Sequence, residues 1–181
     1  MAHLEVITLD GIPEVGPGDD LVEIMVSSMN ATGLVFKDGD VICVAQKIIS
    51  KSENRFVDLK AVQPSPDALR YAGKSDKDAR LVEVMLRESR EVLRVRTGVI
   101  IVEDKRGLVL ANAGIDSSNV PGSTADRVLL LPMDPDASAA CLRSTLEQRT
   151  RCKLAVLIID SIGRAWRSGT VGTAIGCAGL P

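Results

Sequence analysis

Lys153-Leu154-Ala155-Val156-Leu157-Ile158-Ile159-Asp160 is the stretch on which the fold turns. It reads as a strongly apolar strand that ends on a carboxylate. Upstream, Asp134-Pro135 supplies an N-cap and a first-turn proline for a helix to about Thr150, with Ala139, Leu142 and Leu146 inward. A second apolar strand, Val41 to Ala45, follows the turn Lys37-Asp38-Gly39-Asp40 and runs into Gln46-Lys47-Ile48-Ile49-Ser50-Lys51. Further toward the N-terminus, Asp19 or Asp20 can cap a helix whose apolar face is Leu21, Ile24, Met25 and Ser28. His3 to Leu9, rich in β-branched and aliphatic residues, predicts a first strand. Between the two apolar strands, Ser75 and Asp78 predict a helix through about Ser89, with Ala79, Val82, Met85 and Leu86 inward. Leu93 to Val95, Val99 to Val102 and Leu108 to Leu110 follow as strands, with turn chemistry at Asp104-Lys105-Arg106-Gly107. Helices and strands interleave without the regular beat of a doubly wound sheet, so the fold class is mixed α/β.

Composition narrows the function classes. With 181 residues, 45% apolar and 25% charged, the chain is long enough for one substantial core or two small lobes. A net charge of −2 provides no global positive field for nucleic acid or an anionic membrane. Phe36, Phe56, Tyr71 and Trp166 are the whole aromatic set, too few for base-stacking platforms. Cys43, Cys141, Cys152 and Cys177 show no Cys-x-x-Cys spacing and His3 is the only histidine, which argues against a zinc site. The cysteines are expected to be small buried hydrophobes in a reducing compartment. No signal peptide or spanning run of roughly 20 apolar residues is present, so a cytoplasmic location with no membrane partner is expected.

Three segments place polar or charged groups at the end of an apolar strand, where ligands often meet a rigid sheet. In the first, Lys47 and Lys51 share a face if Gln46–Lys51 is helical and could grip neighbouring phosphates; the alternative is an ordinary solvated pair. The second is Ala111 to Asn119. There small residues permit close backbone approach, Asp116 offers a hard oxygen ligand, and Asn119 can donate and accept, unless the segment is only an Asx-type turn. In the third, Asp160 and Ser161 offer the oxygen donors that suit Mg²⁺ or Mn²⁺ beside a nucleotide, and Arg164 and Arg167 could face phosphate oxygens. The alternative there is that both arginines are surface residues beside a core-edge Trp166. Gly169, Gly172, Gly176 and Gly179 form neither a P-loop nor Gly-x-Gly-x-x-Gly and read as glycines at a tight sheet corner.

Taken in order, several stretches resemble the coenzyme F-420 γ-glutamyl ligase family. They are Asp10 to Val15 with Gly18-Asp19-Asp20, Asp38 to Val41, Ile49 to Glu53, Ala113 to Asp116 with Ser118-Asn119-Val120, Leu130-Leu131-Pro132 with Asp134-Pro135-Asp136, Asp160-Ser161 with Gly163 to Arg167, and Ala174-Ile175-Gly176. The set spans essentially the whole chain, and its Gly163 to Arg167 wording is nearest to bacterial members. The resemblance implies a two-lobed subunit in an intertwined homodimer, and a GTP-dependent ligase joining L-glutamate to the lactyl carboxylate of a deazaflavin coenzyme F-420 precursor through an acyl phosphate. It implies GTP contacts at Ile12, Pro13, Glu14, Val15, Gln46, Lys47, Lys51 and Asn119. Asp116 and Asp160 would hold one Mg²⁺ or Mn²⁺ ion and Ser161 would reach a second, with K⁺ assisting in some members. Lys51 and Arg164 are the candidates for stabilising the transferring phosphoryl group. Three departures stand out: Ser161 where threonine is usual, Asn54 where glycine is usual, and an end at Pro181 where the family continues into a further nucleotide- and metal-contacting segment. Residues 1–181 are therefore expected to be the ligase domain without that segment. The rival readings are a nucleotide- and metal-binding fragment that turns nothing over, and a ligase of the same fold with another acceptor acid.

Overall fold

The computed structural model describes residues 3–117, 126–163 and 169–180. The chain divides into two compact units. One comprises Met1–Asn54, Asp134–Ile159 and Ala174–Pro181; the other comprises Arg55–Met133 and Asp160–Thr173.

The first unit holds strand β1 (Val41–Ala45), the part of β7 (Ala155–Gly163) up to Ile159 and the part of β8 (Thr170–Ala178) from Ala174; the strand order is β1-β7-β8. β1 and β7 run parallel from Val41 opposite Ala155 to Ala45 opposite Ile159. Helices α1 (Leu21–Thr32) and α5 (Pro135–Thr150) close the core, in which Val44, Val156 and Ile158 meet Val22, Met25, Ala139, Leu142 and Leu146. The caps are those the sequence announces. Asp20 accepts from the Glu23 amide at 3.0 Å, and Asp134 from the Ala137 amide at 3.0 Å with proline in the first turn. The Lys37–Asp40 turn fixes where the sheet starts: the Gly39 amide donates to the Lys153 carbonyl at 2.8 Å and the Ala155 amide to the Asp40 carbonyl at 2.9 Å.

Several expectations for these elements are corrected. His3 to Leu9 is no strand. The segment makes no ladder among the described residues, and Leu4, Val6 and Ile7 are 87%, 84% and 54% exposed. A strand is held by a partner's hydrogen bonds, which β-propensity cannot replace. On α1 Met25 and Ser28 are buried as expected and Leu21 packs partly buried on the core, but Val22 and Met29, not Ile24, complete the buried face. Cys43, Cys141 and Cys177 are exposed and Cys152 is half-buried; for Cys43 the cause is the period of two, which turns it outward as it turns Val44 inward. Asp160 does not close its strand, since β7 continues to Gly163.

The second unit holds β2 (Phe56–Asp58), α3 (Pro66–Ser75), α4 (Ala79–Arg87), β3 (Ser89–Arg96), β4 (Val99–Asp104), β5 (Val109–Ala111) and β6 (Arg127–Leu129). β3, β4 and β5 form an antiparallel sheet whose Ile100 and Val102 pack on Ala68 and Ala72 of α3 and Val82 and Met85 of α4. β2 pairs with β6 over a smaller cluster of Leu59, Val62, Val84, Val128 and Leu130. Helix α3 is missing from the sequence reading: Ser65 caps it, accepting from the Ala68 amide at 3.2 Å, and Pro66 opens it. Ser75 therefore ends α3, and Asp78 alone caps α4, through the Arg80 amide at 2.8 Å. The Asp104–Gly107 turn forms as expected; the Asp104 carboxylate accepts from the Arg106 and Leu108 amides, each at 2.9 Å, and pairs with the Arg106 guanidinium. Among the described residues no helix is long and apolar enough to cross a membrane.

Candidate functional site

In the first unit the chain brings two of the predicted segments together. Ile12 to Val15 forms an extended loop in which Val15 is buried while Pro13 and Glu14 face outward. The Ser28 hydroxyl donates to the Asp10 carbonyl at 2.7 Å and the Gly18 amide to the Ser52 carbonyl at 2.9 Å, so both ends of the loop are tied down. Ser52 ends helix α2 (Gln46–Ser52), which starts where β1 stops. The condition set on the lysines is thus met: Lys47 and Lys51 lie one helical turn apart on one face. Lys51 is no solvated surface lysine. Its side chain is only 12% exposed, and its Nζ lies 3.6 Å from Glu14 Oε1, on a side chain 66% exposed. The Lys51 ammonium is thus largely withdrawn from water, and its ion-pair partner sits on an exposed side chain.

Gln46 departs from what a ligand contact read off sequence leads one to expect. It is 4% exposed, and its Oε1 accepts from the fully buried Ser50 hydroxyl at 2.9 Å. The sequence reading passed over Ser50, although the four-residue spacing in a helix was available to find it.

The second unit carries the acidic residues. Asn112 to Gly114 forms a single 3₁₀ turn in which Asn112, Ala113 and Gly114 all have positive φ. The Asn112 side chain accepts from the Ile100 amide on β4 at 3.1 Å, a long-range bond and not a local Asx turn. Gly114 has a packing duty too, since a side chain there would meet Leu131 Cδ1 at 2.6 Å. The turn delivers Asp116 to an isolated antiparallel bridge: its amide donates to the Leu129 carbonyl at 2.9 Å, and its carbonyl accepts from the Leu129 amide at 2.8 Å. Asp116 is half-buried, held by backbone bonds independent of its carboxylate. Asp160 is half-buried on β7, Oδ1 accepting from the Ser161 amide at 2.8 Å, and Ser161 is exposed. Asn119 and Arg164, together with Trp166 and Arg167, lie outside the described residues.

Among the described residues no three His, Cys, Asp or Glu side chains converge as a preformed metal cage. The donor set of Asp116, Asp160 and Ser161 is instead all oxygen and small in number. That suits Mg²⁺ or Mn²⁺, which take one or two carboxylates from a protein and fill the remaining positions with phosphate oxygens and water. In donor chemistry alone, Asp116, Asp160 and Ser161 would fit such an ion.

Residues 11–181 match the family described as F420-0:Gamma-glutamyl ligase. The chain is 44% identical over 177 residues to the coenzyme F420:L-glutamate ligase of Methanothermobacter thermautotrophicus, covering 98% of this chain and 69% of that protein. It is 40% identical over 184 residues to the protein of the same name from Methanopyrus kandleri, covering 100% of this chain and 70% of the relative. The corresponding protein of Haloarcula marismortui is 39% identical over 183 residues, with 98% and 68% covered.

Proposed function

The chain belongs to the F420-0:γ-glutamyl ligase family, and from that premise we propose that it joins L-glutamate to the carboxylate of a coenzyme F-420 precursor at the expense of GTP. The structural observation that most supports nucleotide binding is the Glu14–Lys51 pair, which joins the loop at Ile12–Val15 to α2.

Carboxylate and ammonium do not condense in water, so the acid must first be activated. The lactyl carboxylate attacks the γ-phosphorus of GTP, forming a C–O–P acyl phosphate and releasing GDP. The unprotonated α-amine of glutamate then adds to the acyl carbon. Collapse of the tetrahedral intermediate expels phosphate, and the amine proton passes to solvent. Lys51 places positive charge beside the phosphates and Gln46 and Lys47 contact the nucleotide from the same helix. Asp116, Asp160 and Ser161 would hold Mg²⁺ or Mn²⁺, whose chemistry there is to neutralise charge between anions that must approach one another. No protein nucleophile is required.

The test is a mass-spectrometric assay with the precursor, L-glutamate, GTP and Mn²⁺. Product one glutamate residue heavier, with GDP formed in step, is the expected outcome. GTP bound without turnover would favour the binding-only reading, and neither binding nor product would sink the proposal.

A homodimer is part of the same reading. The extended, apolar and unladdered segment carrying Leu4, Val6 and Ile7 supports it, because three such side chains gain most from a surface supplied by another copy. Light scattering is expected to give twice the chain mass. Val6→Asp is expected to weaken the dimer about ten- to hundred-fold, since burying one such side chain contributes roughly 1.5–3 kcal/mol. A monomeric parent protein, or a Val6→Asp variant as tightly paired as the parent, would refute this role for the segment.

A further inference from the structure

Gln46 and Ser50 lie one turn apart at the buried side of α2. Ser50 is fully buried, and its hydroxyl has one hydrogen bond among the described residues, donated to Gln46 Oε1 at 2.9 Å. The Nε2 end of Gln46 makes none among them. A carboxamide has two nearly isosteric orientations, distinguished by what its ends are bonded to. Turned over, its Nε2 would donate to Ser50 Oγ, which can also accept, and the buried hydroxyl proton would then need an acceptor other than Gln46 Oε1, the one it has among the described residues. The hydroxyl therefore selects the orientation in which oxygen is occupied and the two N–H donors remain for another group.

We propose that Ser50 is a positioning residue for nucleotide binding, fixing the Gln46 carboxamide as a hydrogen-bond donor to an acceptor oxygen of GTP. This rests on the assignment of Gln46 to the nucleotide site. It adds to that assignment a residue which itself touches no substrate, and it gives Gln46 a definite polarity: a donor, matched to phosphate or carbonyl oxygen. Preorganising that donor removes the cost of selecting the amide orientation during binding.

The test is calorimetric titration of GTP with Mg²⁺ into the whole chain, using the parent, Ser50→Ala, Gln46→Ala and the double variant, with melting temperatures alongside. Gln46→Ala is expected to weaken GTP about ten- to hundred-fold, as for a hydrogen bond to a charged group, and Ser50→Ala about three- to tenfold. Because Ser50 acts through Gln46, the double variant is expected to bind as Gln46→Ala does, a non-additivity that general loosening of α2 would not produce. Gln46→Glu supplies a check that leaves Ser50 in place: it still accepts from the hydroxyl yet has no N–H to offer, so it is expected to bind no better than Gln46→Ala. Parent-like binding by Ser50→Ala, full additivity in the double variant, or parent-like binding by Gln46→Glu would each overturn the proposal. Parent-like binding by Gln46→Ala would remove Gln46 from the nucleotide site altogether, a failure distinct from these and sufficient to end the inference.

Discussion

Asp160→Asn is expected to lower the ligation rate about a thousandfold while leaving the fold intact. The size follows from the proposed role as a metal ligand. Charge neutralisation by a bound metal ion contributes several kcal/mol in the transition state, and about 1.4 kcal/mol corresponds to each tenfold in rate. Asparagine is the informative replacement because it separates two duties of the carboxylate. Its side-chain oxygen can still accept from the Ser161 amide, the 2.8 Å bond seen in the structure, but it has no charge for a hard cation. Asp116→Asn should behave likewise, since the bridge to Leu129 that positions Asp116 is made wholly by backbone atoms. Steady-state rates at several Mn²⁺ concentrations provide the check. A metal ligand gives a rate that falls steeply and recovers partly at high Mn²⁺; a carboxylate serving only local structure gives an asparagine variant with nearly parental rate. The second result at both positions would remove the metal assignment.

The parts of the fold legible in the sequence are those governed by local rules. The α5 helix carries its own cap, its own proline and an inward face at Ala139, Leu142 and Leu146, and all three are buried. β1 has the bounds expected of it because a turn sits on one side and a change to helical spacing on the other. Most of the failures have a tertiary cause. His3–Leu9 has strand composition but no neighbour to pair with among the described residues. Asp160 looked like a strand terminus because a carboxylate interrupts an apolar run, whereas β7 simply passes through it with Ile162 buried beyond. Helix α3 was hidden by Pro64 and Pro66, a local signal misread, since Ser65-Pro66 is itself a helix start. At the site, residue types were readable and their relations were not. The sequence can nominate Lys51, but only the folded loop brings Glu14 within 3.6 Å of it, and only α2 puts the Ser50 hydroxyl on Gln46.

The glycines of β8 lead to the second large effect, on stability. Read from sequence they mark a tight corner, yet Thr170–Ala178 is one continuous nine-residue strand. Gly172 and Gly176 sit in it under opposite conditions. A Cβ at Gly172 would meet nothing within 4 Å, whereas one at Gly176 would lie 2.5 Å from the Pro135 carbonyl carbon and oxygen. That obstacle is backbone in the first turn of α5, which is pinned by the Asp134 cap and by the Asp136 carboxylate accepting from the Cys177 amide at 2.8 Å. It cannot swing aside as a long side chain would, so either β8 or α5 must shift. Gly176→Ala is accordingly expected to cost about 2–3 kcal/mol, the usual range for forcing atoms into a packed interior, and to lower the melting temperature by roughly 5–10 °C in a chain of this size. Gly172→Ala is expected to stay within about 0.5 kcal/mol of the parent, as for a substitution away from such contacts. Thermal denaturation of the pair isolates the packing term, because both changes add the same methyl to the same strand and both remove the same backbone freedom from the unfolded chain. Equal melting temperatures would mean that α5 yields freely at its first turn, and close packing would no longer explain why glycine occupies position 176.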